Sequence, residues 1–432
     1  MEKFSKKYHE MGIEMLIEFS VTNFRSFCNS QTLSLVKSKG NELPDNAFEV
    51  EGIKDLDLLH SAAIYGANAS GKSNLLKSIR AMKQIVTATS QRGSKLPITP
   101  FKLNKDSISK PTEFEVVFIV DNVRYQYGFS ATEEKIFEEW LFAYPKGRAQ
   151  KWFERIWSSE KNQYQWQFGN FLTGTKQVWQ NATRENALFL STAVQLNSEQ
   201  LKPLFDWFKE TLRFSSVGGF GPEYSASLCM ENRKEEILKF MHAADLNISD
   251  INIETEDFSP SVLPNDMPES LREIIIDGMK DKKMMNIQTI HLDSQGNSIR
   301  FDLEEESDGT QKFFAFAGPW LDVLTNGYVL FVDELHDNLH PKLVQFLVGL
   351  FHSKKTNPKN AQLIFTTHET SILNQDVFRR DQVWFCERNQ EQETVVYPLS
   401  DFSPKKGKEN LEAAYLSGRY GALPFLRSLD TL

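Results

Sequence analysis

Gly66, Ala67, Asn68, Ala69, Ser70, Gly71, Lys72 and Ser73 carry the spacing G-x-x-x-x-G-K-S. Two glycines allow a loop whose backbone N–H groups turn inward, the lysine adds a mobile positive charge, and the serine adds a hydroxyl. That set suits a polyphosphate: the amides and a following helix N-terminus bind the β-phosphate, Lys72 reaches β and γ oxygens, and Ser73 offers an oxygen to Mg²⁺. Asn74 follows directly and extends the candidate nucleotide-binding set. The pattern has this meaning only between a strand and a helix. The apolar run Ser61 to Tyr65 precedes it, and Leu75, Leu76, Ile79, Met82 and Val86 repeat at helical spacing behind it.

A phosphate loop alone neither completes a metal shell nor positions a water, so a second element must follow. Tyr328-Val-Leu-Phe-Val runs into Asp333 and Glu334, which predicts a buried parallel strand with two acids at its C-terminal end. Asp333 is the candidate Mg²⁺ ligand beside Ser73, and Glu334 the candidate general base. A third strand, Leu363-Ile-Phe365, ends in Thr366, Thr367 and His368. His368 is a candidate for orienting the water or bonding the γ-phosphate. Between these strands the apolar pattern Pro341 to Phe351 supplies the connecting helix. Finally, Ser307, Asp308, Gly309, Thr310 and Gln311 open a helical pattern from Lys312 to Leu324, and a helix start of this composition is an anion site as well as an ordinary N-cap.

The elements that must carry these residues read as follows. The chain has 432 residues, enough for two or three domains with real cores. A net charge of -9 excludes a surface built throughout to coat nucleic acid, though not a local basic groove. Cys28, Cys229 and Cys386 are scattered and odd in number, which excludes a disulfide framework and predicts a reducing, cytoplasmic setting. No run of apolar residues approaches the length of a membrane span. Residues 1–14 form a polar N-terminal extension; an ordered domain is expected from Met15, where Ile17, Phe19 and Val21 alternate with Glu18, Ser20 and Thr22.

Residues 15–175 read as an N-terminal lobe. Within it Phe114, Val116, Phe118 and Val120 lead through Asp121-Asn122 into Val123, Tyr125, Tyr127 and Phe129, the start of an antiparallel meander that runs to Phe168. Residues 176–285 look mainly helical, and 286–432 form a C-terminal lobe with the acidic pair and His368. The expected fold is α/β: a mixed, largely parallel core sheet with an antiparallel β-lobe and an inserted helical lobe.

The order and spacing of these motifs resemble the ABC-type P-loop NTPase heads of the SMC, RecF and OLD-like proteins. In that resemblance Ser307 to Gln311 is similar to the signature loop, Leu335 to Leu339 to the D-loop, and His368 to the switch histidine. Ile17 to Phe27 resembles the first strand of the RecF and OLD-like group. Phe378 to Phe385 and Gly418 to Phe425 resemble the abortive-infection and restriction-linked AAA-family ATPases of the RloA and AbiL kind. The resemblance runs from about Met15 to Leu426.

It implies ATP and Mg²⁺ as cofactors and a head-to-head homodimer. In that dimer Ser307 and Gly309 of one chain close over the nucleotide held by Gly66 to Ser73 of the other. It also implies a role in anti-phage or restriction-associated defence through a separate nuclease or toxin effector, since the stretch after His368 is too short for the nuclease domain that OLD-like proteins append. An ATP-gated DNA or RNA clamp with low turnover remains the alternative. The spacing from Ser73 to Ser307 exceeds that of a minimal transporter head, and no Q-loop glutamine can be assigned. His336 and His340 lack a third ligand for a metal site. The basic runs Lys280 to Lys283 and Lys405 to Lys408 are too short to establish nucleic-acid binding.

Overall fold

The computed structural model describes residues 14–424 except 90, 92, 216–218, 261–262, 265–266, 280–282, 406 and 408. All but Glu14 of the N-terminal extension, Lys280 to Lys282, Lys406, Lys408, Phe425 and Leu426 lie outside the described residues. The chain divides into two units: Met1–Val217, Val323–His336 and Val344–Leu432 in the larger, Gly218–Asp322 and Asp337–Leu343 in the smaller.

Two large sheets dominate the larger unit, beside a small pair formed by Ala47–Glu49 and Asp57–Leu59. One is antiparallel and seven-stranded, in the order Gln163–Phe168, Gln150–Ser158, Ile136–Tyr144, Val123–Ala131, Thr112–Val120, Met15–Thr22 and Gln31–Ser34. The meander follows from its turns: Asp121 (φ 50°) and Asn122 (φ 60°) both adopt the left-handed conformation that a two-residue hairpin needs. The other sheet has the order Leu212–Phe214, Val329–Val332, Gln362–Thr366, Ser61–Tyr65, Val383–Arg388 and Thr394–Pro398, with five parallel strands and an antiparallel last one. Its central strands are covered on both faces, which is why they read as unbroken apolar runs: Leu330, Leu363 and Ile364 are fully buried.

Helix Lys72–Thr87 packs its Leu75, Ile79, Met82 and Val86 stripe into one core with Phe19 and Val21 of the antiparallel sheet and with Ile64, Phe331 and Ile364 of the parallel one. Phe331 stacks on Phe214 at 4.6 Å, so truncating it to alanine should cost about 3–5 kcal/mol.

The region expected to be mainly helical also contains strands. Leu212–Phe214 is only three residues long, too short for a periodicity signal, yet it is the edge strand beside Val329–Val332. Asp250–Asp257 pairs with Lys283–Leu292, and this strand with Ser298–Asp302, giving the smaller unit a three-stranded antiparallel sheet. Helix Asp308–Asn326 carries Pro319, whose missing N–H leaves the Ala315 carbonyl without its helical partner. The Ser225 hydroxyl interrupts the neighbouring bond, donating to the Phe314 carbonyl at 2.6 Å and accepting from the Gly318 N–H at 2.9 Å, with the Ala315 carbonyl 3.4 Å away.

At the end of the parallel sheet away from the phosphate loop, His352 Nε2 lies 2.9 Å from Ser61 Oγ and 3.2 Å from Gln382 Nε2, and Asn357 Nδ2 lies 3.2 Å from His60 Nδ1. Burial lowers the pKa of His60 to about 4 and that of His352 to about 3. Both folded values lie below the ordinary 6.5, so the unfolded chain takes up these protons first. Stability is then full above pH 6.5 and falls as the pH drops towards 4. Each histidine accounts for about 1.4 kcal/mol per pH unit. The pKa of His368 is lowered too, to about 4, so denaturant titrations between pH 7 and pH 4.5 should show His352→Gln losing about a third of the histidine-linked slope; an unchanged slope would contradict this assignment.

Candidate nucleotide-binding site

Strand register explains why distant residues meet. Val332 pairs with Phe365, and Phe365 with Ala63, so three parallel strands end nearly level. The residues that follow them, Gly66 to Ser73, Asp333 with Glu334, and Thr367 with His368, therefore emerge at one carboxyl edge. The loop itself turns on Gly66 (φ 151°) and Gly71 (φ 109°). A Cβ on Gly66 would lie 2.3 Å from the Cys386 carbonyl oxygen, so that glycine is required by contact as well as conformation. Ala69 also adopts a left-handed φ of 61°, an unusual position for a residue with a Cβ. Asn68 and Ala69 are exposed, whereas Ser70 and Lys72 are buried.

Lys72 Nζ bonds the carbonyl oxygens of Gly66 at 2.8 Å and Ala67 at 3.0 Å, so the ammonium is held over the mouth of the loop by acceptors that a phosphate oxygen can replace. Burial lowers its pKa, and the carboxylates of Glu334 and Asp333 oppose that shift. Asp333 Oδ1 accepts two hydroxyl hydrogen bonds, from Ser73 at 3.1 Å and from Thr366 at 2.6 Å. Thr366 Oγ1 in turn accepts the Glu334 N–H at 2.8 Å. Glu334 sits at φ 54°, and its side chain is 55% exposed, so it faces the space above the edge rather than the core. His368 Nε2 lies 3.8 Å from Glu334 Oε1.

Burial, then the charge of Lys72 and the neighbouring His336, lowers the His368 pKa to about 4. The imidazole is neutral near pH 7, and the approach to Glu334 is not an ion pair there. The two oxygens of Ser73 and Asp333 form the hard, oxygen-only donor set that Mg²⁺ prefers, the remaining positions falling to water and phosphate. No group of three or more His, Cys, Asp or Glu residues able to hold a metal by themselves occurs among the described residues.

The smaller unit holds the other candidate residues. Ser307 precedes helix Asp308–Asn326 and caps it: its hydroxyl accepts the Thr310 N–H at 3.2 Å. The N-cap reading of this residue is thus realised, and Ser307 and Asp308 are also exposed. A Cβ on Gly309 would stand 3.2 Å from the Asn338 carbonyl oxygen, which keeps that helix turn close to the segment after Asp337. Lys312 pairs with Asp337 at 2.9 Å across the same two segments.

Two sets of residues at the larger unit's site had no role from sequence. In the sequence Thr366 reads only as the end of an apolar run that leads to His368. Ser26 and Thr394 contact the phosphate loop from the turn after the first strand and from the last strand of the parallel sheet, and no pattern marks them. Ser26 lies in the stretch that resembles the RecF and OLD-like opening; nothing singles out Thr394.

A phosphate loop after one parallel strand, an acidic pair after the next strand but one, and a histidine after the strand between them define a P-loop ATPase. Residues 61–374 match the family described as "AAA domain, putative AbiEii toxin, Type IV TA system", and the chain belongs to that family. No curated protein matches the sequence. Similar solved structures include the recombination mediator protein RecF of the RecFOR pathway as RecF-ATPrS, at 14% identity over 89% of this chain and 99% of that chain, TM-score 0.36. The same protein as RecF-ATP gives 16% identity over 89% and 99%, TM-score 0.37. Another is cbiO1 from Clostridium perfringens, part of the ABC transporter complex cbiONQ, at 11% identity over 95% of this chain and 96% of that chain, TM-score 0.28.

Thr366→Val keeps the volume of this fully buried side chain but leaves the Glu334 N–H without an acceptor and removes one donor from Asp333. Unfolding free energy should fall by about 1–3 kcal/mol, and ATP turnover by more than about tenfold. Wild-type turnover in this variant would show that Thr366 does not set the acidic pair.

Proposed function

We propose that the chain is a Mg²⁺-dependent ATPase whose nucleotide state controls pairing of two copies and thereby switches a partner protein. The observation that carries the hydrolytic part is Asp333 Oδ1, reached at once by the Ser73 and Thr366 hydroxyls, with Glu334 and neutral His368 next to it. Ser73 and Asp333 would hold Mg²⁺, which when bound neutralises phosphate charge. The inward amides of residues 66–73 and the ammonium of Lys72 hold the β- and γ-phosphates.

Glu334 is exposed and aimed away from the core, so its carboxylate accepts the proton of a water whose oxygen attacks the γ-phosphorus. The bond from that phosphorus to the bridging oxygen breaks, and ADP leaves with the bridging oxygen. His368, uncharged near pH 7, donates one hydrogen bond and accepts another, which fits it to hold the water or a γ-oxygen in line.

The dimeric part rests on Ser307 and Gly309. Ser307 is exposed at the N-terminus of a long helix, a position that offers N–H groups to an anion. A second copy's nucleotide is a fitting occupant, with Ser307 and Gly309 completing the cage in trans. The family description, which names an AbiEii toxin and a type IV toxin–antitoxin system, supports a role in abortive-infection defence. In our proposal the protein exercises that role in the cytoplasm, through a separate nuclease or toxin effector.

Lys72→Ala should abolish ATP binding. Glu334→Gln should bind ATP, hydrolyse it more than about a hundredfold more slowly, and accumulate as dimers on size-exclusion chromatography with light scattering. Parent-like turnover in both variants would overturn the assignment of the site, and a Glu334→Gln protein that stays monomeric with ATP would overturn the dimer.

A further inference from the structure

Beneath the phosphate loop lies a set of hydroxyl groups outside every phosphate motif. Ser26 and Thr394 are 368 positions apart, yet their hydroxyl oxygens lie 2.8 Å from each other. The Thr394 N–H also donates to the Ser26 carbonyl at 2.7 Å. Thr394 Oγ1 stands 2.7 Å from the Ser70 carbonyl oxygen, and Asn74 Nδ2 donates to Ser26 Oγ at 2.9 Å. Ser70 and Asn74 flank Gly71, Lys72 and Ser73, so the pair grips the loop on both sides of its phosphate-binding residues.

The Thr394 hydroxyl points its one proton between two acceptors, the Ser26 hydroxyl oxygen and the Ser70 carbonyl, as a three-centre contact. Ser26 Oγ accepts from Asn74 as well. Thr394 and Ser26 are 0% and 8% exposed, so the cluster is shielded from water.

Two further features show how closely the grip fits. A Cβ on Gly71 would lie 2.1 Å from Thr394 Oγ1 and 2.9 Å from Ser26 Oγ, so the loop backbone rests directly on this pair. The turn bearing Ser26 holds Asn23 (φ 53°) and Arg25 (φ 52°) in left-handed conformations. Asn23 is fixed there by donating to the Ser107 and Lys110 carbonyls at 2.8 Å each. Strain of this kind persists only where surrounding contacts impose it.

We propose that Ser26 and Thr394 are positioning residues for the nucleotide. They touch no phosphate; they hold Ser70 and Gly71 so that the loop amides converge before the ligand arrives. Preorganisation of this type acts on binding of the triphosphate more than on the chemical step. The proposal rests on residues 66–73 being the ATP site.

The test is equilibrium binding of a fluorescent, non-hydrolysable ATP analogue with Mg²⁺, together with KM and kcat, for the parent, Thr394→Val, Thr394→Ser and Ser26→Ala. Thr394→Val and Ser26→Ala should each weaken analogue binding and raise KM by about tenfold or more, with kcat at saturating ATP within about threefold of the parent. Thr394→Ser restores the hydroxyl and should bind within about twofold of the parent. Parent-like affinity in both Thr394→Val and Ser26→Ala overturns the proposal while leaving the ATP site standing. So does a Thr394→Ser protein as impaired as Thr394→Val, because the hydroxyl alone would then not support the loop. A parent that fails to bind the analogue overturns the reading of the site itself.

Discussion

One carboxylate oxygen ties together the parts of this protein. Asp333 Oδ1 receives the hydroxyl of Ser73, from the start of the helix after the phosphate loop, and that of Thr366, from the end of a neighbouring strand. An acid at the end of a buried strand is costly unless its lone pairs are met, and here they are met by groups from two other elements. The arrangement exists only if three parallel strands finish at the same level. Their pairing supplies that condition, with Phe331, Ile364 and Ala62 in one row. The apolar strands are therefore as much a part of the site as the polar residues they deliver.

The scaffold on either side serves the same end. Helix Lys72–Thr87 is held between two sheets by a continuous apolar core, so its first turn, with Lys72 and Ser73, cannot shift without disturbing that core. Glycine at 66 and 71 lets the loop pass within contact distance of the Cys386 carbonyl and the Thr394 hydroxyl. A neutral histidine and an exposed glutamate complete the edge. The state of the histidine follows from its location, since burial and the Lys72 charge keep His368 uncharged. The Glu334 side chain stays in contact with solvent.

Much of this was legible in the amino-acid order because several signals are local. The phosphate loop needs consecutive residues, Val329–Val332 announces itself by an apolar run ending in acids, and Asp121-Asn122 marks its hairpin. The signals failed where structure depends on distant partners. Leu212–Phe214 is a strand only because Val329–Val332 lies beside it, and Asp250–Asp257, rich in acids, forms through pairing with Lys283–Leu292. Thr366 looked like the end of a strand, and its two hydrogen bonds come from the Asp333 segment. Thr394 gave no sign at all, since its role arises from two contacts with residues more than three hundred positions earlier.

If Ser73 and Asp333 face one ligand space built for a magnesium-bound triphosphate, calorimetric titration of the parent protein with ATP, in Mg²⁺ and again in excess chelator, reads it out. A stoichiometric site is expected, its affinity dropping at least about tenfold when the metal is removed, because Asp333 and the phosphates are then left facing each other without a cation between them. Equal affinity with and without Mg²⁺, or no binding in either buffer, would rule out a shared magnesium site.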